Sequence, residues 1–599
     1  MRIAVHSEVP NDPALRRDRN GLVQSMERPQ VFYTYEWAMA VQQAYRGEMP
    51  VLLLLGYEGE ALKGVAALTL HRNRKSAHLL CHTTADYCDF VSRAPDREIF
   101  VAGVLTELLR SRIQTFQLAN LPADSLSLPA LGAAAKQLGI HVFDRLGYQC
   151  AQTNLGTGEG RAQLRHALDK KKMFRRNINF LRREAPVRLE RIRSALGARE
   201  ALPEFYEAHV ARFLATQRIS NLVRSERRNF LAELAERLAE TDSFVLTRLM
   251  VGNQAVAWNY GFQFERSLFW YQPTFDSRVE EHSPGYCLLS QMIIEACDEP
   301  ALDVVDLGLG AEGYKERFAN ASRETRHLTL TKSRRRYIAA ATRFKVAETI
   351  KASPGAEGLA RSIVSRGLSL RRRMRTGSQR DFILWSTKRL SGLVSSRQKV
   401  EFYEWDEQKG PGHLPMSDNL VLRPLDLQTL ARAAMRNEDD GETLTYLLRA
   451  ALRLRSQERQ TSGFVLVGPD RAPLHFCWTS PFDGFFIEEL GQRLSASPAE
   501  SMIFDCWTPR SSRGHAHYAT AITLLAHQLR AEQKIPWIFS AETNTASVRG
   551  ISKAGFVHRF SMVRKKTFTW QSVERVDGSL DAPGHSMLPL QSNGKSSVS

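Results

Sequence analysis

Two stretches decide how this chain reads: Ser283-Pro284-Gly285, and Asp306-Leu-Gly308-Leu-Gly310-Ala-Glu312-Gly-Tyr314-Lys315. Ser-Pro-Gly opens an apolar helix that runs to Cys297, because a proline at the first helical position lacks only an N–H that would be unpaired there anyway. Asp303-Val-Val-Asp-Leu307 then reads as a strand, and the glycines after it as a turn. Three further strand signals stand just upstream: 243–249, 254–262 and 267–271, with turns at Val251-Gly-Asn253 and Glu265-Arg266. The order is an antiparallel meander, a loop and helix, then a strand. The first N–H groups of a helix have no internal partner and carry the positive end of its dipole. A loop that bares them can hold a pyrophosphate.

The same order returns downstream. Strand signals at 419–423, 463–467, 474–478 and 502–507 lead through Pro509-Arg-Ser-Ser-Arg-Gly514 into a helix to about Ala531. A strand at 536–540 and a helix from Asn544 follow. Before the first meander lie a basic helical stretch at 168–183 and two further helical stretches at 201–217 and 226–240. The N-terminal piece holds a helix over 32–45, a hairpin of 51–56 with 64–70, a helix over 96–113 and a strand at 116–120.

The 599 residues, 43% of them hydrophobic and 24% charged, have the composition of an ordinary folded protein of several domains. The expected organisation is 1–155, 156–331, a basic helical linker over 332–399, a domain over 400–570 and a disordered tail over 571–599. Of the formal net charge of +18, +15 falls between Lys332 and Lys399. That segment is either a solvated linker or a surface for an anionic membrane face, a polysaccharide or nucleic acid. No window reaches the roughly 18–20 uncharged apolar residues of a membrane span. The start has no apolar signal core, so a cytoplasmic protein is expected, peripheral at most to the inner membrane face. Seven scattered cysteines form no CxxC pair and read as reduced thiols. No Cys/His cluster has metal-ligand spacing, so no metal is expected.

Arg513-Gly514-His515-Ala516, then Asn544-Thr-Ala-Ser547 and Lys553-Ala-Gly555-Phe556, resemble the pyrophosphate loop and later signature of the GNAT acetyltransferase superfamily. Ala516 stands where another glycine is usual, and Ile551 where many members carry a tyrosine acid. The stretches quoted at the outset, with Tyr271 and Asp276, resemble the CelD-like or FemAB-like branch of that superfamily over about 30–330. Phe32, Trp37, Asp86, Asp89 and Arg175-Arg176-Asn177 fit that branch too. The resemblance implies a mixed α/β fold: tandem GNAT-like halves, each a mostly antiparallel splayed sheet flanked by helices. It also implies acyl transfer to an amine or hydroxyl, often in envelope polysaccharide production.

Acyl transfer needs a held thioester, an acceptor that loses a proton and donors for an oxyanion. Ser283, Pro284 and Gly285 are the anion-site candidates, or a plain helix cap. Asp306, ending an apolar strand, is either a general base of raised pKa or a cap of the glycine turn. Tyr314 is placed to protonate a leaving thiolate and Lys315 to position an anion, unless both are a surface pair. The strand around Tyr271 offers backbone donors to the thioester. Arg513, Gly514 and Asn544 are the coenzyme contacts of the last domain. Asp86, Asp89 and Trp37 are the acceptor-side candidates, with loop capping open for the two acids.

The expected activity is acyl-coenzyme A-dependent N- or O-acyltransfer, of acyl groups other than aminoacyl, to a sugar, amino sugar or amine. Acetyl-CoA or another acyl-CoA is the co-substrate. Two alternatives stand beside it: aminoacyl transfer from aminoacyl-tRNA, as in the Fem branch, with RNA held by the basic segment, and a non-catalytic scaffold at the membrane surface.

Overall fold

The computed structural model describes residues 1–71, 75–310, 312–351, 395–409, 419–456, 460–567 and 570–576. Within these the chain folds as two compact units, drawn from 1–212 with 224–357 and from 213–223 with 358–599. Most of the expected 332–399 linker, and the tail beyond Val576, lie outside the described residues. Two ends of those segments depart from expectation: 395–399 begin a strand, and 571–576 belong to another. No described helix is long and apolar enough to cross a membrane.

The first unit opens with β1 (Arg2–His6), α1 (Pro13–Gln24), α2 (Tyr35–Ala44), β2 (Val51–Glu58), β3 (Ala61–Leu70), β4 (Ser76–Leu79) and β5 (Val91–Ser92). α3 (Ala94–Arg110), β6 (Thr115–Pro122), α4 (Ser127–Gln137) and β7 (His141–Asn154) complete its first half. The second half runs α5 (Gly158–Lys170), α6 (Lys172–Glu184), β8 (Val187–Ile192), α7 (Ala195–Ala215), α8 (Ser225–Ala239), β9 (Phe244–Val251), β10 (Gln254–Phe264) and β11 (Ser267–Phe275). It ends with α9 (Pro284–Cys297), β12 (Val304–Leu309), β13 (Ala321–Thr331) and α10 (Arg334–Lys351).

One 13-stranded sheet carries both halves, in the order β1-β2-β3-β4-β6-β13-β7-β12-β11-β10-β9-β8, with β5 beside β3. The halves interlock: β13 lies between β6 and β7, and β7 between β13 and β12. β10 is buried on both faces along most of its length, which explains its near-continuous apolar reading. α9 is apolar nearly all round because it is enclosed by β9–β12 on one side and by Leu168, Phe174, Ile178 and Leu181 of α5 and α6 on the other.

β11 and β12 are parallel, and their pairing is short. Ser267, Leu268 and Phe269 pair with Val304, Val305 and Asp306, and beyond that the two strands part. β12 also breaks register with β7 between Asp306 and Leu309. The gap so formed begins at Trp270 on one strand and Leu307 on the other.

The second unit is built from β14 (Ser395–Trp405), β15 (Val421–Pro424), α11 (Leu427–Arg436), α12 (Gly441–Ser456), β16 (Ser462–Val467), β17 (Pro473–Pro481), β18 (Phe485–Ile487) and β19 (Gln492–Leu494). β20 (Glu500–Trp507), α13 (His517–Ala531), β21 (Ile535–Ala541), α14 (Thr545–Lys553), β22 (Phe556–Thr567) and β23 (Trp570–Val576) follow. Its main sheet runs β15-β16-β17-β20-β21-β14-β22-β23. Here too a parallel pair parts: β20 and β21 are joined from Glu500/Ile535 to Ile503/Ile538 only.

Trp37 is a core residue, not a substrate contact. It is fully buried, edge-on to Phe32 at 4.8 Å, Phe262 at 5.3 Å and Phe230 at 5.6 Å, and its indole N–H donates to Thr84 Oγ1 at 3.1 Å. It therefore ties the first half to the second. Trp37→Ala is expected to cost about 3–5 kcal/mol, the usual loss for a buried aromatic, read as a lower denaturant midpoint.

Candidate active site

The gap between β11 and β12 is met by a loop from the other half of the unit. Residues 80–90 leave β4 and are tied to their own half by Leu80 N–H to Ala67 O (2.9 Å) and Cys88 N–H to Asn120 O (3.0 Å). From there the loop reaches both strands of the gap. On the β11 side the Tyr271 hydroxyl donates to Thr84 O. On the β12 side the Tyr87 hydroxyl donates to Asp306 Oδ2 at 2.9 Å, and Asp86 accepts the Leu309 backbone N–H.

Gly308 is what lets the loop in. It adopts φ +71°, and a Cβ there would lie 2.6 Å from Asp86 Oδ2 and 3.5 Å from Trp270 O. Both the conformation and the close approach require glycine.

The two aspartates have different surroundings. Asp306 is 3% exposed, and three donors hold it: Tyr87 Oη, Gln152 Nε2 at 2.8 Å and the Gly308 N–H at 2.8 Å. Burial raises its pKa, and these hydrogen bonds oppose the rise. Its oxygens are engaged in closing the β12 turn and in anchoring the loop. Asp86 is less satisfied and partly open to solvent. Burial, then the neighbouring Asp306 charge, push it up to about 7, against the pull of Lys315 and Arg227.

The other expected residues fall on both sides of this pair. Tyr314 lies against Trp270, whose indole N–H donates to its hydroxyl oxygen at 3.1 Å; burial pushes its pKa up to about 12. Lys315 is 5% exposed, so it is no surface group. Its Nζ donates to Leu309 O at 2.7 Å and pairs with Glu312 at 2.8 Å, pinning the turn. The Tyr271 hydroxyl donates to Thr84 O and accepts from Arg227 Nη2 at 2.8 Å, so the side chain is spent on structure.

Ser283 adopts φ +48°, and no side chain caps α9 after it. Pro284 takes the first helical position, and Gly285 backs onto the Phe275 ring, 3.2 Å from where a Cβ would stand. The helix start is thus bare of side-chain acceptors. Asp89 does not join the site. It accepts from Ser125 and Ser127 at 2.5 Å each and from the Phe90 N–H at 2.7 Å, and lies 3.8 Å from the buried Arg97 guanidinium. It caps its loop.

Four residues of the site escaped the sequence reading. Tyr87 and Gln152 hold Asp306. Arg227 donates to Tyr271 and to Gln272 Oε1 at 3.1 Å, while its buried Nε has no hydrogen-bond partner. Gln272 in turn meets His209 at 3.3 Å, a histidine that burial pulls down to about 3 and so keeps neutral. Nothing in the local sequence marks Arg227, one of several arginines on α8; Tyr87 is marked only by standing beside Asp86.

In the second unit, Arg513 is exposed, its Nε donating to Thr508 O at 3.1 Å and its guanidinium over the Trp507 ring. Gly514, φ +90°, has open space around it, and α13 also starts without a side-chain cap, Ala516 taking the left-handed φ +58°. Asn544 is a helix cap, accepting from the Ser547 N–H at 3.2 Å. Ile551 is buried in the core. Among the described residues no three His, Cys, Asp or Glu side chains gather as a metal site.

Comparison with known proteins gives one family match, to the acetyltransferase (GNAT) domain, over residues 169–316. No curated protein matches the chain. Among solved structures it is similar to FemX (9% identity, 55% of this chain and 97% of that one, TM-score 0.40). It is also similar to L-PGS from Bacillus licheniformis (12%, 55% and 94%, TM-score 0.36) and to a tandem GNAT protein from the clavulanic acid biosynthesis pathway (11%, 55% and 99%, TM-score 0.32). The parted parallel strands and the bare helix start described above lie within or at the edge of the matched segment: residues 169–316 of this chain are a GNAT domain.

Proposed function

We propose that the first unit transfers an acyl group from a thioester co-substrate, an acyl-coenzyme A, to an amine or hydroxyl acceptor such as a sugar or amino sugar, with Asp86 as general base. The observation that carries this is the position of Asp86, set against Gly308 and Leu309 where the parallel pair parts, in surroundings that push its pKa up to about 7. A base works best when its pKa lies near the working pH.

The roles follow from the contacts. Asp86 takes the acceptor's proton. The edge of β11 that faces β12, unpaired with that strand beyond Phe269, presents backbone N–H groups toward the acyl carbonyl. The uncapped start of α9 suits the coenzyme's pyrophosphate. The Tyr314 hydroxyl, which accepts from Trp270 and keeps its own proton, returns a proton to the leaving sulfur. Asp306, Lys315 and Tyr271 are positioning residues: each fixes the turn or the loop that carries Asp86.

A second reading has one observation in its favour. A groove of about 410 Å³ on α5, α6 and α9 is lined by Arg165, Arg175 and Arg182 with Asp169; Arg165 pairs with Asp298 and Arg175 with Asp169, which leaves Arg182 as the cation most open to a phosphate. It supports an aminoacyl-tRNA donor in place of acyl-CoA. Supplying purified protein with acetyl-CoA or with aminoacyl-tRNA, and measuring thiol release or deacylation, separates the two. Consumption of neither overturns the proposal.

Asp86→Asn is expected to lower kcat about 10²–10⁴-fold, with thiol release as the readout. In the wild type, activity rises as pH climbs through about 7, because the base must be ionised. A flat profile across that range would remove Asp86 from the role.

Stability runs the other way. The folded state keeps the Asp86 proton up to about 7, whereas an unfolded aspartate releases it near its model value of 3.8. Between those limits the folded state binds more protons, so stability falls as pH rises. Asp86→Asn removes this penalty. Its Tm should exceed the wild type at pH 8, with the gap closing toward pH 4. Asp306→Asn should instead lower Tm at both pH values, by about 1–3 kcal/mol of stability, because an amide nitrogen then faces one of three buried donors.

A further inference from the structure

The second unit contains a groove of about 900 Å³ that the transfer reading of the first unit leaves unused. Its floor is aromatic. Phe485 of β18 stands edge-on to Phe504 of β20 at 5.0 Å and near Phe539 of β21 at 6.2 Å. Phe504 and Phe539 directly follow the last paired residues of β20 and β21, so the floor sits where those strands part. Asp505, next to Phe504, takes φ +46° and interrupts the ladder with β17.

The lining carries both signs of charge: Asp483, Glu488 and Glu489 come from the β17–β18 turn and the β18–β19 connection, Arg449 and Arg453 from α12, and Arg493 from β19. Some of this charge is already matched. Arg453 pairs with Asp505 and lies over the Trp478 and Phe504 rings, and Asp483 accepts from Ser495. Arg493 donates to Gly484 O at 2.7 Å. Among the described residues Glu488, Glu489 and Arg449 have no ion-pair partner.

We propose that this groove binds a zwitterion of the amino-acid type: an ammonium read by Glu488 and Glu489, a carboxylate read by Arg449, and an apolar body on the phenylalanine floor. The lining holds three arginines against four acids, so it does not suit a polyanion such as a nucleic-acid backbone. An apolar floor with a few convergent charged groups is the general make-up of a small-molecule site. The assignment concerns binding in the second unit and does not rest on the chemistry assigned to the first.

The test is calorimetric titration of the full chain with L-phenylalanine, with phenylpropionate, which lacks the ammonium, and with phenethylamine, which lacks the carboxylate. L-Phenylalanine is expected to bind about tenfold or more tightly than either. E488Q/E489Q should erase its advantage over phenylpropionate, and Arg449→Ala its advantage over phenethylamine. Glu488 and Arg449 are exposed, so these changes leave the fold intact, which far-ultraviolet circular dichroism verifies. Asp86→Asn should bind as the wild type does. Equal affinity for the three probes, binding of none, or variants that bind as the wild type would overturn the proposal.

Discussion

A loop from one half of the first unit, seated across two parting strands of the other, is the contact on which the candidate site depends. Three hydrogen bonds make it: Tyr271 to Thr84, Tyr87 to Asp306, and the Leu309 N–H to Asp86. Each joins residues far apart in sequence, so the site exists only when β7 and β13 have locked the halves into one sheet. The aromatic cluster around Trp37 backs this seam, and its indole holds Thr84 from behind. Damage to that cluster therefore reaches the site without touching any group that reacts.

Placing two carboxylates so close in a buried setting is unfavourable unless their needs are divided. The chain gives three donors to Asp306, and Asp86 receives a backbone N–H with partial access to solvent. The first carboxylate becomes part of the scaffold. The second keeps a proton affinity that neither an isolated surface aspartate nor a fully solvated loop would have. Asp306 thus acts on the chemistry through its charge, which helps raise Asp86, and through the turn it closes.

The strand-turn-helix order of the second half was legible in the sequence because α9 and β10–β12 are buried and apolar with clear turn residues between them. β7 and β13 were not. β7 is 14 residues long, only Cys150 and Thr153 in it are buried, and polar residues interrupt it throughout, leaving no apolar run to read. β13, Ala321–Thr331, carries three arginines or histidines among its first seven residues, and its place between β6 and β7 is set by tertiary pairing alone. The same limit governs the site. Asp306 announced itself by ending an apolar strand before Gly308. Asp86 stood out in the sequence only as an acceptor-side candidate or a loop cap, and its raised proton affinity comes first from burial and then from Asp306, far along the chain. Asp89, three residues on, looked equivalent and is instead fully bonded to two serines and its own backbone.

The two units also show how one backbone device can be put to different ends. Both part a parallel pair after a few residues, and both begin the following helix without a side-chain cap. Parting exposes peptide N–H and C=O groups that a continuous ladder would have paired, and such groups must find partners or solvent. In the first unit an inserted loop answers part of that demand and brings a carboxylate with it. In the second, the acid beside the break is Asp505, and it is ion-paired with Arg453. What adjoins that gap is a wide groove lined by charges of both signs. That difference is what separates the two proposals, proton transfer in the first unit and recognition of a charged small molecule in the second.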